Sequence, residues 1–98
     1  MIGRMVVGRF QADRIDEVVD LARKAVDVVT ERKPQGYQGY LSLVDRSTGK
    51  WITIQLWDTE ADAAAWASSS LARELLGPIM AFIVESPVSE VYEVAIRA

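Results

Sequence analysis

The amino-acid sequence predicts a single α+β domain over residues 1–98, with the element order strand, helix, strand, strand, helix, strand. The segment Tyr37–Trp57 has the pattern of a β-hairpin and runs directly into a helix start at Asp58–Ala61. On each side of it, a strand-like apolar run accompanies a run with helical periodicity. This order is the split βαβ arrangement of a ferredoxin-like βαββαβ sandwich.

The first part of the chain predicts a strand and then a helix. The strand covers Ile2–Phe10, and its dense apolar residues predict burial on both faces. The helix is predicted to begin at Asp13, which has the residue type of an N-cap. It should end near Arg32 or Lys33, because Pro34 disfavours helical geometry in the residue before it. Its apolar face is formed by Ile15, Val18, Val19, Ala22, Val26 and Val29.

The hairpin has two apolar faces. A four-residue loop that ends at Gly49, with this glycine at positive φ, places Asp45 opposite Lys50 and, further along, Gln38 opposite Trp57. One side of the hairpin carries only aliphatic side chains and is predicted to point into the core; these are Leu41, Leu43, Ile52, Ile54 and Leu56. The mixed aromatic and polar face is predicted to be an interface or a cavity wall; it consists of Gln38, Tyr40, Ser42, Val44, Trp51, Thr53, Gln55 and Trp57.

The last part of the chain predicts a second helical region and a final strand. Asp58 or Thr59 is expected to cap the helix, and the serines at 68–70 are expected to interrupt it. A kink is predicted at Gly77–Pro78, and Pro87 is predicted to end the helix. The residues from 88 to 97 alternate in the manner of a strand.

The predicted sandwich leaves one sheet face without a cover, because two helices cover only one face of four strands. The uncovered face is expected to carry Tyr40, Val44, Trp51 and Trp57. A second copy of the sheet would cover it and form a homodimeric α/β barrel. A different protein acting as the cover is the alternative.

Composition excludes several classes of function. The net charge of −3 and the scattered basic residues argue against nucleic acid as a partner. The absence of Cys and His excludes thiolate and imidazole chemistry, and no nucleotide loop, nucleophile elbow or metal motif occurs. No signal peptide or membrane span is evident, so no membrane association and a cytoplasmic location are expected.

Several motifs together resemble a known family. They are Pro34–Tyr37, the hairpin, Gln55–Ala61, Trp66 and Val91–Val94. In order and spacing they resemble the antibiotic biosynthesis monooxygenase domain of the dimeric α/β-barrel superfamily, over nearly the whole chain. The resemblance implies a homodimer with a pocket between sheet and helices in each subunit. In some members it implies cofactor-free oxidation of aromatic polyketides, and in others degradation of haem.

The functional residues of that family are only partly retained. Of the polyketide-oxidising pattern, Trp57 is kept, while Thr53 and Ala63 stand where the family has Asn and Tyr. Of the haem-degrading pattern, Trp66 is kept, while Gly8 and Leu76 stand where the family has Asn and His. Because the chain contains no His, the usual axial ligand of haem is missing, and we expect no cofactor.

The candidate substrate-binding residues are Trp57, Trp66, Tyr37, Thr53 and Arg9. The two tryptophans offer a flat apolar wall and an N–H donor to a planar ligand, and the Tyr37 phenol could hydrogen-bond a quinone oxygen. The alternative is that both tryptophans simply fill space in the core.

The candidate catalytic residues are Glu93 and Tyr40. Without His, a general base would have to be a carboxylate or a tyrosinate. Glu93 is expected beside Arg9 on an adjacent strand, where the two form a buried pair or an acid/base site; the alternative is that both charges simply lie at the sheet rim. For Tyr40, the alternative role is packing at the subunit interface.

Two functions remain open from the sequence. The first is a cofactor-independent monooxygenase-like protein that binds a planar aromatic or quinol between sheet and helices. The second is a non-catalytic dimeric module that binds a small ligand or is purely structural. A cavity of about 300 Å³ or more beside Trp66, with an inward polar group, would favour ligand chemistry, and a filled core would favour the structural role.

Overall fold

The computed structural model describes residues 1–98 as one layer of helices packed on one sheet. The elements are β1 (Ile2–Phe10), a short 3-10 turn (Ala12–Arg14), α1 (Ile15–Arg32), β2 (Tyr37–Asp45), β3 (Lys50–Trp57), α2 (Glu60–Ala67), α3 (Ser70–Met80) and β4 (Ile83–Glu93). The four strands are antiparallel and lie in the order β2-β3-β1-β4. The predicted ferredoxin-like α+β fold is confirmed.

The hairpin register is the predicted one over most of its length. Asp45 lies opposite Lys50, and the pairing continues unbroken to Gly39 opposite Leu56. The loop closes through Gly49, whose φ of 79° lies in the left-handed region that glycine favours. At the far end a bulge places Tyr37, and not Gln38, opposite Trp57.

The helices cover the aromatic face of the sheet, so the predicted assignment of the two faces is wrong. Trp57 is only 1% exposed, whereas Leu41 and Leu43 on the other face are 53% and 50% exposed. The helices present small side chains such as Ala63 and Ala72, both buried, towards the sheet. Large aromatic residues fill the space above the sheet that these alanines leave.

Several element boundaries differ from the prediction. Asp13 lies within the 3-10 turn and caps no helix. The second helical region ends at Met80, and Pro87 lies within β4 at a bulge of this edge strand, where a missing N–H is tolerated. Beyond β4, Arg97 donates a hydrogen bond to the Gln38 carbonyl oxygen at 3.0 Å, so the last residues cross the sheet end as a tail.

Helix starts in the second half of the chain have side-chain caps. Thr59 accepts a hydrogen bond from the backbone N–H of Asp62 and opens α2, as predicted. The serine run interrupts the helix, and Ser69 caps α3 by accepting from the N–H of Ala72.

The core is small and lies between the sheet and α1 and α3. Its buried cluster consists of Phe10, Ile15, Val18, Trp51 and Ile79. Contrary to the prediction, β1 is mostly half-buried, because its second face has no cover. None of the helices combines the length and the hydrophobicity that a membrane-spanning helix needs.

Candidate functional site

A cavity of about 220 Å³ lies between the helix-facing side of the sheet and the helices. Seventeen of its 22 lining residues are hydrophobic, and α1 and α3 supply much of the apolar lining. The volume is below the roughly 300 Å³ at which pockets for drug-sized ligands begin, but the core is not filled. The cavity therefore suits a compact, flat and mainly apolar molecule.

Three aromatic rings form one wall of the cavity. Tyr37 packs edge-on against Trp57 with ring centroids 5.4 Å apart, and Trp66 lies 6.3 Å from Trp57 at a tilt of 31°. The Trp57 indole N–H donates to Gln55 Oε1 at 3.2 Å and is therefore already satisfied. Trp57 acts mainly as the buried support of this wall, while Trp66, on α2, is only half-buried.

A cluster of hydroxyl groups lies on the sheet floor. Thr53 Oγ1 is 3.4 Å from the Tyr40 hydroxyl and 3.3 Å from Ser42 Oγ, and Ser42 also donates to the Tyr40 hydroxyl. The indole N–H of Trp51 donates to Thr53 Oγ1 at 3.0 Å. Tyr40 and Thr53 both line the cavity, so the cluster presents polar groups to it.

A row of polar residues crosses the cavity floor from one strand to the next. Arg4 on β1 lies opposite Gln55 on β3, and Gln55 lies opposite Tyr40 on β2. Facing residues of neighbouring antiparallel strands have Cα atoms about 5 Å apart, so the three side chains stand side by side. Arg4 is the only charged residue of the cavity lining.

Sequence reasoning did not identify Arg4. The sequence did contain one signal for it. Arg4, Val6, Gly8 and Phe10 are spaced two residues apart, so in a strand all four lie on the same face of β1. That signal becomes informative only once the helix-covered face is known.

The structure separates two predicted residues from the cavity. Arg9 projects from the opposite face of β1 and contacts Glu85, with Nε 3.3 Å from Oε1. Glu93 is exposed and lies opposite Ile2, at the far end of the strand pair. The predicted Arg9–Glu93 neighbourhood is therefore wrong, because β4 begins five residues earlier than predicted and two bulges shift its register.

The protonation of Tyr37 limits the chemistry of the cavity. Burial raises the pKa of the Tyr37 phenol above its ordinary value, against the smaller lowering effect of a hydrogen bond with Thr30. At neutral pH this phenol therefore remains protonated and is a donor of hydrogen bonds, not a base. No carboxylate lines the cavity either.

Comparison with solved structures identifies the fold. A crystal structure of an antibiotic biosynthesis monooxygenase superposes with a TM-score of 0.79 and 18% identity, covering 98% of this chain and all of the other. A proposed antibiotic biosynthesis monooxygenase from Caulobacter crescentus has a TM-score of 0.84 and 14% identity, covering 97% of this chain and 90% of the other. One from Nitrosomonas europaea has a TM-score of 0.81 and 13% identity, covering 98% of this chain and all of the other. The chain shares the fold of antibiotic biosynthesis monooxygenases. No protein-family model matches the sequence, and no curated protein sequence matches it.

The antibiotic biosynthesis monooxygenase fold is thus established by structure and not by sequence. At identities of 13–18% the likeness carries the fold, but it transfers no substrate and no catalytic residue. Any function must be argued from the cavity itself.

Proposed function

We propose that this protein binds a planar aromatic or quinol molecule in the cavity and promotes its oxidation by molecular oxygen without a cofactor. The observation that carries the proposal is the cavity itself, which joins an aromatic wall to a floor with hydroxyl and amide groups. A flat ligand gains apolar burial against Trp66, which Trp57 supports from behind, and the Tyr40 and Thr53 hydroxyls can bond its oxygen atoms.

In such a reaction the ligand supplies the electrons. An anthrone methylene carbon becomes a carbonyl by taking one atom of O₂, and the second oxygen atom leaves as water with the two methylene hydrogens. The protein has to bind the ligand, orient it and exclude water. Tyr40 is the catalytic candidate within the cavity, where its hydroxyl would bond an oxygen atom of the ligand and stabilise charge there.

A second candidate function is binding without catalysis. The observation that favours it is the lack of any Asp, Glu or His in the cavity lining, so no conventional base faces the ligand. Glu93, the carboxylate considered for that role, is exposed outside the cavity.

We also propose that the protein is a homodimer through the uncovered sheet face. This face, called the aliphatic face here, consists of Met5, Val7, Leu41, Leu43, Ile52, Ile54, Leu56, Val88 and Tyr92. The accessible surface of 6307 Å² exceeds the roughly 5,600 Å² expected of a monomer of this mass. A second copy covers the face economically, because a twofold axis places identical apolar surfaces against each other.

Oxygen consumption tests the catalytic proposal. Wild type is assayed with hydroquinones and anthrones in an oxygen electrode, beside Trp66→Ala and the conservative Trp66→Phe. We expect uptake by wild type, at least a tenfold lower kcat/KM for Trp66→Ala, and most of the activity in Trp66→Phe. If ligands quench tryptophan fluorescence without uptake, the binding function is supported instead. If there is neither uptake nor binding, both functions are wrong.

A further inference from the structure

The charged residues that line the cavity indicate the charge of the ligand, which the proposed function leaves open. Arg4 carries a guanidinium group and lies on the floor of a cavity that has no other Arg, Lys, Asp or Glu in its lining. The ion pairs of the protein join Arg9 to Glu85, Arg14 to Glu17 and Arg46 to Asp16. Arg4 therefore has no carboxylate partner within the chain.

Gln55 adds a second donor at the same place. Its Oε1 accepts from the Trp57 indole, which fixes the amide so that its NH₂ group is left to donate. Arg4 and Gln55 face each other on neighbouring strands. Together they present a guanidinium and an amide N–H to one end of the cavity, while the aromatic wall is formed by Tyr37, Trp57 and Trp66.

We propose that the ligand is an anionic planar aromatic, whose negatively charged oxygen binds Arg4 and Gln55 while its ring lies against Trp66 and the apolar lining of the cavity. This inference rests on the proposed binding function and adds the charge of the ligand to it. Arg4 is half-buried, and its guanidinium can bind a carboxylate or phenolate through charged hydrogen bonds, which are stronger than hydrogen bonds between neutral groups. For a phenol, the same contact favours ionisation and so makes the bound ring easier to oxidise.

Matched probes test this inference. The affinities of 2-naphthoate and its neutral counterpart 2-naphthamide are measured at pH 7 by tryptophan fluorescence. The variants are Arg4→Met, which keeps an unbranched stem and removes the charge, Arg4→Lys, which keeps the charge, and the control Arg73→Met. Arg73 is exposed on α3 outside the cavity, so its substitution makes the same change in net charge. Circular dichroism confirms that each variant is folded.

We expect wild type and Arg73→Met to bind naphthoate at least about tenfold more tightly than naphthamide. Arg4→Met should lose that preference while its naphthamide affinity stays within about twofold, and Arg4→Lys should retain part of it. In a second experiment, bound 2-naphthol is titrated and followed by absorbance. If the pKa of the bound naphthol is lower in wild type than in Arg4→Met, Arg4 binds phenolates as well as carboxylates.

The outcomes separate the two proposals. If wild type binds both naphthyl probes equally and the naphthol pKa is the same in wild type and Arg4→Met, the anionic ligand is ruled out and the binding function stands. If Arg4→Met weakens naphthoate and naphthamide alike, Arg4 has a structural role only and the inference is wrong. If wild type binds none of the probes, the binding function fails and this inference fails with it.

Discussion

The indole N–H of Trp51 donates a hydrogen bond to Oγ1 of Thr53, two residues further along the same strand, at 3.0 Å. Both residues are buried on the helix-facing side of β3. Thr53 also contacts the hydroxyls of Tyr40 and Ser42, so one oxygen atom connects a core tryptophan to the polar floor of the cavity.

Replacing Thr53 by valine should therefore destabilise the protein by about 1–3 kcal/mol, because the shape is kept but the buried Trp51 N–H loses its acceptor. Ser42→Ala is the control, since it removes a neighbouring hydroxyl while Thr53 still accepts from Trp51, and it should cost less than about 1 kcal/mol. Urea denaturation followed by circular dichroism measures both. If both variants lose the same free energy of unfolding, the hydrogen bond between Trp51 and Thr53 has no special role.

Gly49 should not tolerate a side chain. Its φ is +79°, and a Cβ atom there would lie 2.0 Å from the carbonyl oxygen of Phe10. We expect Gly49→Ala to lower the free energy of unfolding by at least about 2 kcal/mol. Thermal unfolding gives the comparison with wild type.

Gly77→Ala provides the matched control for that substitution. A Cβ atom at Gly77 meets no atom within 4 Å, apart from its chain neighbours and its own helix backbone. The gain in helix propensity is opposed by Pro78, which disfavours helical geometry in the residue before it, so the net change should stay within about 1 kcal/mol. A Gly49→Ala protein as stable as Gly77→Ala would refute the proposed conflict with Phe10.

The dimer should depend on the aliphatic face. Leu41→Asp places a charge at a residue that is 53% exposed in the protomer, so the folded protomer should survive while the dimer dissociates. Ala65→Asp adds the same charge on the exposed surface of α2 and should leave the dimer intact. Sedimentation velocity at micromolar concentration distinguishes them, with at least a tenfold rise in the dimer Kd expected for Leu41→Asp. A monomeric wild type would refute the dimer.

An alkaline titration should show that the pKa of the Tyr37 phenol is raised. Burial raises its pKa above the ordinary value near 10, so the neutral form contributes stability that is present below pH 10 and is lost as the pH rises through the folded-state pKa. The difference between the 295 nm titrations of wild type and Tyr37→Phe isolates this group. It should have its midpoint above pH 10, and a midpoint at or below 10 would show that Tyr37 is not shielded from water.

Local patterns in the sequence determined much of the fold. The element order follows from hydrophobic periodicity, and the hairpin register follows from the loop at Gly49 together with the two-residue period of the strands. The cap at Thr59 and the break at the serine run also follow from residue type alone. Each of these features depends on neighbours along the chain, so the sequence is sufficient to predict them.

Only the tertiary structure decided which sheet face the helices cover. Both hairpin faces are apolar, so hydrophobicity favours neither, and the choice depends on how large aromatic side chains fit beneath the alanines of the helices. That choice brings Arg4 into the cavity and places Arg9 outside it. Pro87 lies at one of the β4 bulges that pair Arg9 with Glu85, but within its own segment this proline is equally compatible with the end of a helix. Such features arise from packing summed over distant segments, which no pattern within one segment contains.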